Sequence, residues 1–103
     1  MKQYLGSEQS LQNAIITYLQ HRRYWVLRVN SGAVQTKHDT FVKMGMKGCP
    51  DILAIKYGMA YWFEVKLPGK KSTPIQKARQ EELRAAGCQV YEIHSLEEMQ
   101  KVA

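Results

Sequence analysis

Asp51, Glu64 and Lys66 are the residues whose types and spacing carry chemistry in this sequence. Asp51 to Ile55 and Ala60 to Lys66 read as two strands joined by a turn centred on Tyr57-Gly58. Counting outward from that turn places Asp51 directly across from Glu64, and a two-residue or four-residue loop gives the same register. Residues directly opposite project on one face with Cβ atoms about 5 Å apart, and Lys66, two beyond Glu64, points the same way. Two carboxylates that close repel by about 3 kcal/mol at an effective dielectric near 20, a cost that a neighbouring cation would offset. A divalent metal would turn the repulsion into attraction.

Glu8 joins the set because it extends the apolar stripe of Leu11, Ile15 and Leu19 backwards by one turn, which aims its carboxylate at the sheet. Three acidic donors and a lysine suit a Mg²⁺ or Mn²⁺ site with Lys66 beside an attacking water. Each residue also has a plainer reading: Glu8 answering the helix dipole, Asp51 after Pro50 entering a strand, Glu64 and Lys66 an exposed pair. Gln76, in the first turn of the second helix, is placed to reach the same cleft, although alone it would be a solvated helix residue.

The elements that position these residues follow from periodicity. Ser7 caps a helix running to about Arg22, and Tyr24 to Asn30 is rich in aromatic and β-branched residues, as in a strand. From Ser31 to Pro50 the chain is irregular apart from a short strand around Thr40 to Lys43, and so long a loop in so small a domain is usually functional. Thr73 and Pro74 open a second helix that Gly87 closes. Gln89 to His94 is a further strand, expected parallel to its predecessor because a helix connects them. Ser95 to Glu98 has the spacing of a capping box, starting a short helix with Leu96, Met99 and Val102 inward. The predicted order is α-β-β-β-α-β-α, an α/β fold with a mixed four-stranded sheet. Trp25 and Trp62 lie in apolar strand patterns and are expected in the core.

The chain has 103 residues, and 15 Lys and Arg against 9 Asp and Glu give a formal charge of +6. That size supports one core, so residues 1–103 read as a single domain. No apolar run is long enough to span a bilayer or to act as a signal peptide, which points to a soluble, cytoplasmic protein with no membrane partner. Cys49 and Cys88 form neither a disulfide framework nor a zinc site and read as reduced thiols. The positive charge favours a polyanionic partner. Arg28, Lys37, Lys43 and Lys47 precede the acidic strands' active end, and Lys70 and Lys71 follow it, so both clusters could grip phosphates; solvated lysines are the alternative. His38 reads as an ordinary loop histidine.

Gly48-Cys49-Pro50-Asp51, then Glu64-Val65-Lys66, a preceding acidic helix and a following Gln76 together resemble the PD-(D/E)xK nuclease superfamily. More narrowly, the chain resembles the stand-alone virus-type replication-repair nuclease (VRR-NUC) domain. The resemblance runs from Glu8 to the last strand and includes Asn30-Ser31-Gly32 and the Lys71-Ser72-Thr73-Pro74 approach to Gln76. It implies a restriction-endonuclease-like core and metal-dependent hydrolysis of DNA phosphodiesters. Carried over by position, Glu8, Asp51, Glu64 and the backbone carbonyl of Val65 would hold Mg²⁺ or Mn²⁺. Lys66 would orient the water and stabilise the pentavalent phosphate, Gln76 would support them, and Asn30 and Ser31 would join the DNA contacts. The resemblance also implies a homodimer, some such dimers resolving four-way (Holliday) junctions in replication and repair, and a phage or prophage source in a bacterial host. Val34, Phe41, Val42, Met44 and Met46 are apolar enough for a dimer surface. The competing expectation is a catalytically idle DNA-binding module on the same fold, which would have no reason to keep a self-repelling acidic pair.

Overall fold

The computed structural model describes residues 7–29 and 47–103, together with the backbone of 33–35 and 41–43. Ser7 accepts a hydrogen bond from the Ser10 amide at 3.0 Å and starts helix α1, Glu8–His21. Its stripe of Leu11, Ile15 and Leu19 is fully buried. Strands β1 (Trp25–Arg28), β2 (Ala33–Gln35), β3 (Phe41–Lys43), β4 (Ile52–Lys56) and β5 (Met59–Val65) follow. Helix α2 (Pro74–Ala85), strand β6 (Gln89–Ile93) and helix α3 (Leu96–Val102) complete the chain.

The main sheet has the order β1-β4-β5-β6, antiparallel except for the parallel β5–β6 pair that α2 connects. A mixed four-stranded α/β sheet is therefore present as expected. The element order has two strands more than predicted, because the short strand anticipated around Thr40 to Lys43 is Phe41–Lys43 and pairs with an unanticipated Ala33–Gln35 in a separate two-stranded ribbon. Three residues are too few for alternation to register in sequence, so the pairing is what defines that strand.

The β4–β5 hairpin turns on Tyr57 and Gly58, both at positive φ (53° and 77°), the signature of a two-residue type I′ turn. Lys56 pairs with Met59 and Ile52 with Phe63. Alternation then divides the sheet. Ile52, Ala54, Phe63, Val65 and Ile93 form one face, buried against α1 and Met99 of α3. Leu53, Trp62, Glu64, Val90 and Glu92 point to the other face, which α2 covers only on its β6 side.

Partial coverage explains the largest departure from expectation. Trp25 pairs with Ile55 on the uncovered face and is 58% exposed, and Trp62 is only half-buried. Neither belongs to the buried core. Apolar strand composition cannot tell which face of a sheet a helix will cover.

Candidate active site

The hairpin register carries past the ladder to the site. The Asp51 amide donates to the Phe63 carbonyl at 3.0 Å, and Asp51 Oδ2 accepts from the Val65 amide at 2.8 Å. Asp51 is thereby fixed beside Glu64, as the residue count predicts. Gly48, at φ 84°, lets the approaching loop lie against α2: a Cβ there would meet Ile75 Cγ1 at 2.9 Å. Arg79 Nε ties the same loop down by donating to the Lys47 carbonyl at 3.0 Å.

Glu64 is 1% exposed, and its Oε1 is buried with no hydrogen-bond partner. Burial, followed by the negative charge of Asp51, pushes its carboxyl up to about 9; Lys66 opposes that rise and Glu8 adds to it. Its Oε2 accepts from Gln76 Nε2 at 3.3 Å. Gln76 is held from its other end, because Oε1 accepts from the Thr73 amide at 2.8 Å while Thr73 Oγ1 accepts from the Gln76 amide at 3.3 Å. This reciprocal capping box orients the Gln76 amide group with its NH₂ toward Glu64.

The structure thus brings together Asp51, Glu64 and Gln76, with Lys66 and Glu8 acting on Glu64 as charges. Among the described residues, no three Asp, Glu, His or Cys side chains are gathered into a ready metal cage. The donor set nevertheless fits a divalent cation on one observation: a buried carboxyl oxygen without a partner, in a group whose charged form is disfavoured until positive charge arrives. Asp51 and Glu64 would be the side chains to hold it.

Other expected residues are placed differently. Arg28 pairs with Ile52 on the α1 face, and its guanidinium donates to Asn13 Oδ1, so it turns away from the acidic face. Position parity along β1 decides this, and charge alone could not reveal it. Lys47, Lys70 and Lys71 are exposed. Asn30, Ser31, Lys37, His38, Met44 and Met46, and the side chains of Val34, Phe41, Val42 and Lys43, lie outside the described residues. Cys49 and Cys88 are free and half-buried.

A polar system one strand away was not anticipated. Glu92, the register partner of Glu64, has Oε1 accepting from the Ser72 amide at 3.0 Å and from the Ser72 hydroxyl, which itself accepts from buried Gln80 at 2.9 Å. His94 Nε2 lies 2.9 Å from Glu92 Oε2 and 3.0 Å from the Lys70 carbonyl, and Nδ1 lies 3.1 Å from Glu98 Oε1. Glu98 Oε1 also accepts from the His94 amide at 2.8 Å. Hence the Ser95–Glu98 capping box forms only in half: Ser95 Oγ accepts from the Glu98 amide at 3.1 Å, while the Glu98 carboxylate serves His94. A sequence signal existed, since Glu92 and His94 have the parity of Glu64 and Lys66 on the neighbouring parallel strand.

Helices flanking a mixed sheet, with an acidic pair and a lysine on one sheet face, define an α/β architecture with a buried acidic site. A solved structure described as "VRR_NUC domain" shares this fold with a TM-score of 0.70 at 22% identity, over 92% of this chain and 91% of that one. No family model matches the chain, and no curated protein matches it. The chain therefore has the VRR-NUC fold, the architecture that the sequence resemblance implied.

Proposed function

We propose that the protein is a Mg²⁺- or Mn²⁺-dependent DNA endonuclease. The observation that carries this reading is Glu64, buried and raised to about 9 beside Asp51, with an oxygen left without a partner. The likeness to a VRR_NUC domain supports it. Asp51, Glu64 and the Val65 carbonyl hold the cation, and Glu8 contributes a further carboxylate from the first turn of α1. The chemistry supplied by a cation held there is neutralisation of charge growing on the phosphate and a lowered pKa for water.

The chain's own groups do the remainder. Lys66 brings a fixed positive charge to the phosphate and orients the attacking water. Gln76 holds Glu64 in place from the first turn of α2. Lys47, Lys70 and Lys71 attract the DNA backbone, joined by Lys37, Lys43, Asn30 and Ser31. Cutting both strands of a duplex or resolving a four-way junction requires two such sites, and a two-fold homodimer would supply them.

Cleavage of labelled duplex, single-stranded, flap and four-way-junction DNA with Mn²⁺ or Mg²⁺, wild type beside Lys66→Ala, tests the proposal. Metal-dependent cutting lost in the variant is expected. Binding of these DNAs without cutting by wild type would replace the enzyme with the DNA-binding module.

A further inference from the structure

A cavity of about 450 Å³ opens between the loop after β5, the first turns of α2 and the end of β6, lined by Lys70, Lys71, Lys77, Glu92, His94 and Glu98. We propose that it is a phosphate-binding subsite for a nucleic-acid strand, taking a phosphate group other than the one being cut. The inference rests on the nuclease reading for the identity of the strand, and on the cavity itself for the chemistry.

Charge within the cavity is unbalanced in favour of an anion. Both nitrogens of His94 face only acceptors, Glu98 on one side and Glu92 with the Lys70 carbonyl on the other, an arrangement that favours the protonated ring. Glu92 is further occupied by Ser72, and Glu98 by the His94 amide. Lys70, Lys71 and Lys77 form no ion pair among the described residues. Three lysines against two glutamates leave a surplus of positive charge that protonation of His94 enlarges, and a phosphate would neutralise it.

Lys77 adds an independent argument. It sits in the opening turns of α2, whose first turn carries no acidic residue, so a cation stands near the positive end of the helix dipole. That placement disfavours folding locally and favours an anion. The loop is a defined turn: Leu67-Pro68-Gly69-Lys70 closes through Lys70 N donating to Leu67 O at 3.0 Å, with Gly69 at φ 87° as a type II turn requires.

Position links the cavity to the acidic site. β5 and β6 run parallel with Val65 beside Ile93, so Lys66 and His94 are the next residues at the same end of adjacent strands, about 4.8 Å apart in strand spacing. A strand whose scissile phosphate meets Lys66 therefore passes a neighbouring phosphate across this cavity, since its charges recur about every 3.4 Å along the axis.

The test measures binding to metal-free protein of inorganic phosphate, of a short 5′-phosphorylated oligonucleotide and of its 5′-hydroxyl counterpart, for wild type, Lys77→Glu, Lys77→Gln and Lys101→Glu, the last an equal charge change at an exposed position outside the cavity. Lys77 is exposed, and a thermal melt confirms that its variants fold. Lys77→Glu should weaken oligonucleotide binding at least tenfold and reduce the salt slope by about one or more, Lys77→Gln should do so less, and Lys101→Glu should not lower affinity tenfold. A greater loss for the 5′-phosphorylated strand identifies a terminal phosphomonoester, and equal losses identify an internal phosphodiester; each supports the subsite. Wild-type affinity in both folded Lys77 variants overturns it. Loss of binding in these variants while wild type cuts no DNA would keep the subsite and discard the nuclease.

Discussion

Gln76 bridges two structural tasks, accepting from the Thr73 amide at 2.8 Å to cap α2 and donating to Glu64 Oε2 at 3.3 Å. The start of a helix and the orientation of a buried carboxyl are thereby one arrangement. Gln76→Glu separates them. A glutamate can still complete the capping box, so thermal stability should fall by no more than about 1 kcal/mol. Its second oxygen would face Glu64 as an acceptor in place of a donor, and cleavage should fall at least tenfold. Parallel loss of melting temperature and cleavage, in proportion, would contradict this division.

Glu64 makes metal-free stability depend on pH. Its folded pKa of about 9 stands above the ordinary 4.5, so between those values the folded state binds the extra proton and stability falls as pH rises. The stability associated with the protonated carboxyl is complete below about 4.5 and is lost as pH rises through about 9. Urea titrations in chelator at pH 6 and pH 8 should differ by about 1–3 kcal/mol from this group. Glu64→Gln should remove that difference, and Mn²⁺ should reverse it in wild type. An unchanged pH slope in the variant would show that Glu64 titrates normally.

His94 is raised as well, but here the charged form is the one favoured. Burial disfavours its cation, but the Glu98 hydrogen bond, the Lys70 carbonyl and the charges of Glu98 and Glu92 outweigh burial and raise its pKa above 6.5. Its contribution to stability is therefore complete below 6.5 and is lost as pH rises through the raised value. Following the imidazole by NMR should give a midpoint above the ordinary 6.5. A midpoint at or below 6.5 would contradict the three-acceptor arrangement.

Exposure of Trp25 predicts tolerance. Trp25→Ser should cost no more than about 1 kcal/mol, whereas Phe63→Ala, at a fully buried position, should cost about 3–5 kcal/mol. Equal costs by chemical denaturation would mean that the β1 face is covered in solution.

The parts of this molecule legible in sequence were those governed by local counting. Ser7 and Thr73 cap where their types dictate, and the Tyr57-Gly58 turn carries Asp51 to Glu64 by alternation alone. The illegible parts depend on which face a distant element covers. Trp25 and Leu27 stay exposed because α2 lies over the β6 side, and Arg28 is diverted to Asn13 because α1 lies behind β1. Glu98 shows a third kind of miss: its spacing from Ser95 is correct for a cap, but the His94 amide and ring are stronger claimants. Local rules named the residue and tertiary competition chose its partner.

The two-residue turn at Tyr57-Gly58 also determines where the chain can change length. Insertions at the tip that leave Lys56 opposite Met59 extend a loop into solvent and preserve every pairing below it. A single residue added or lost in either arm, between Asp51 and Lys56 or between Met59 and Glu64, slips the ladder and sends one member of the acidic pair to the opposite face. Natural or engineered fusions are accordingly admissible at the apex and excluded along the arms.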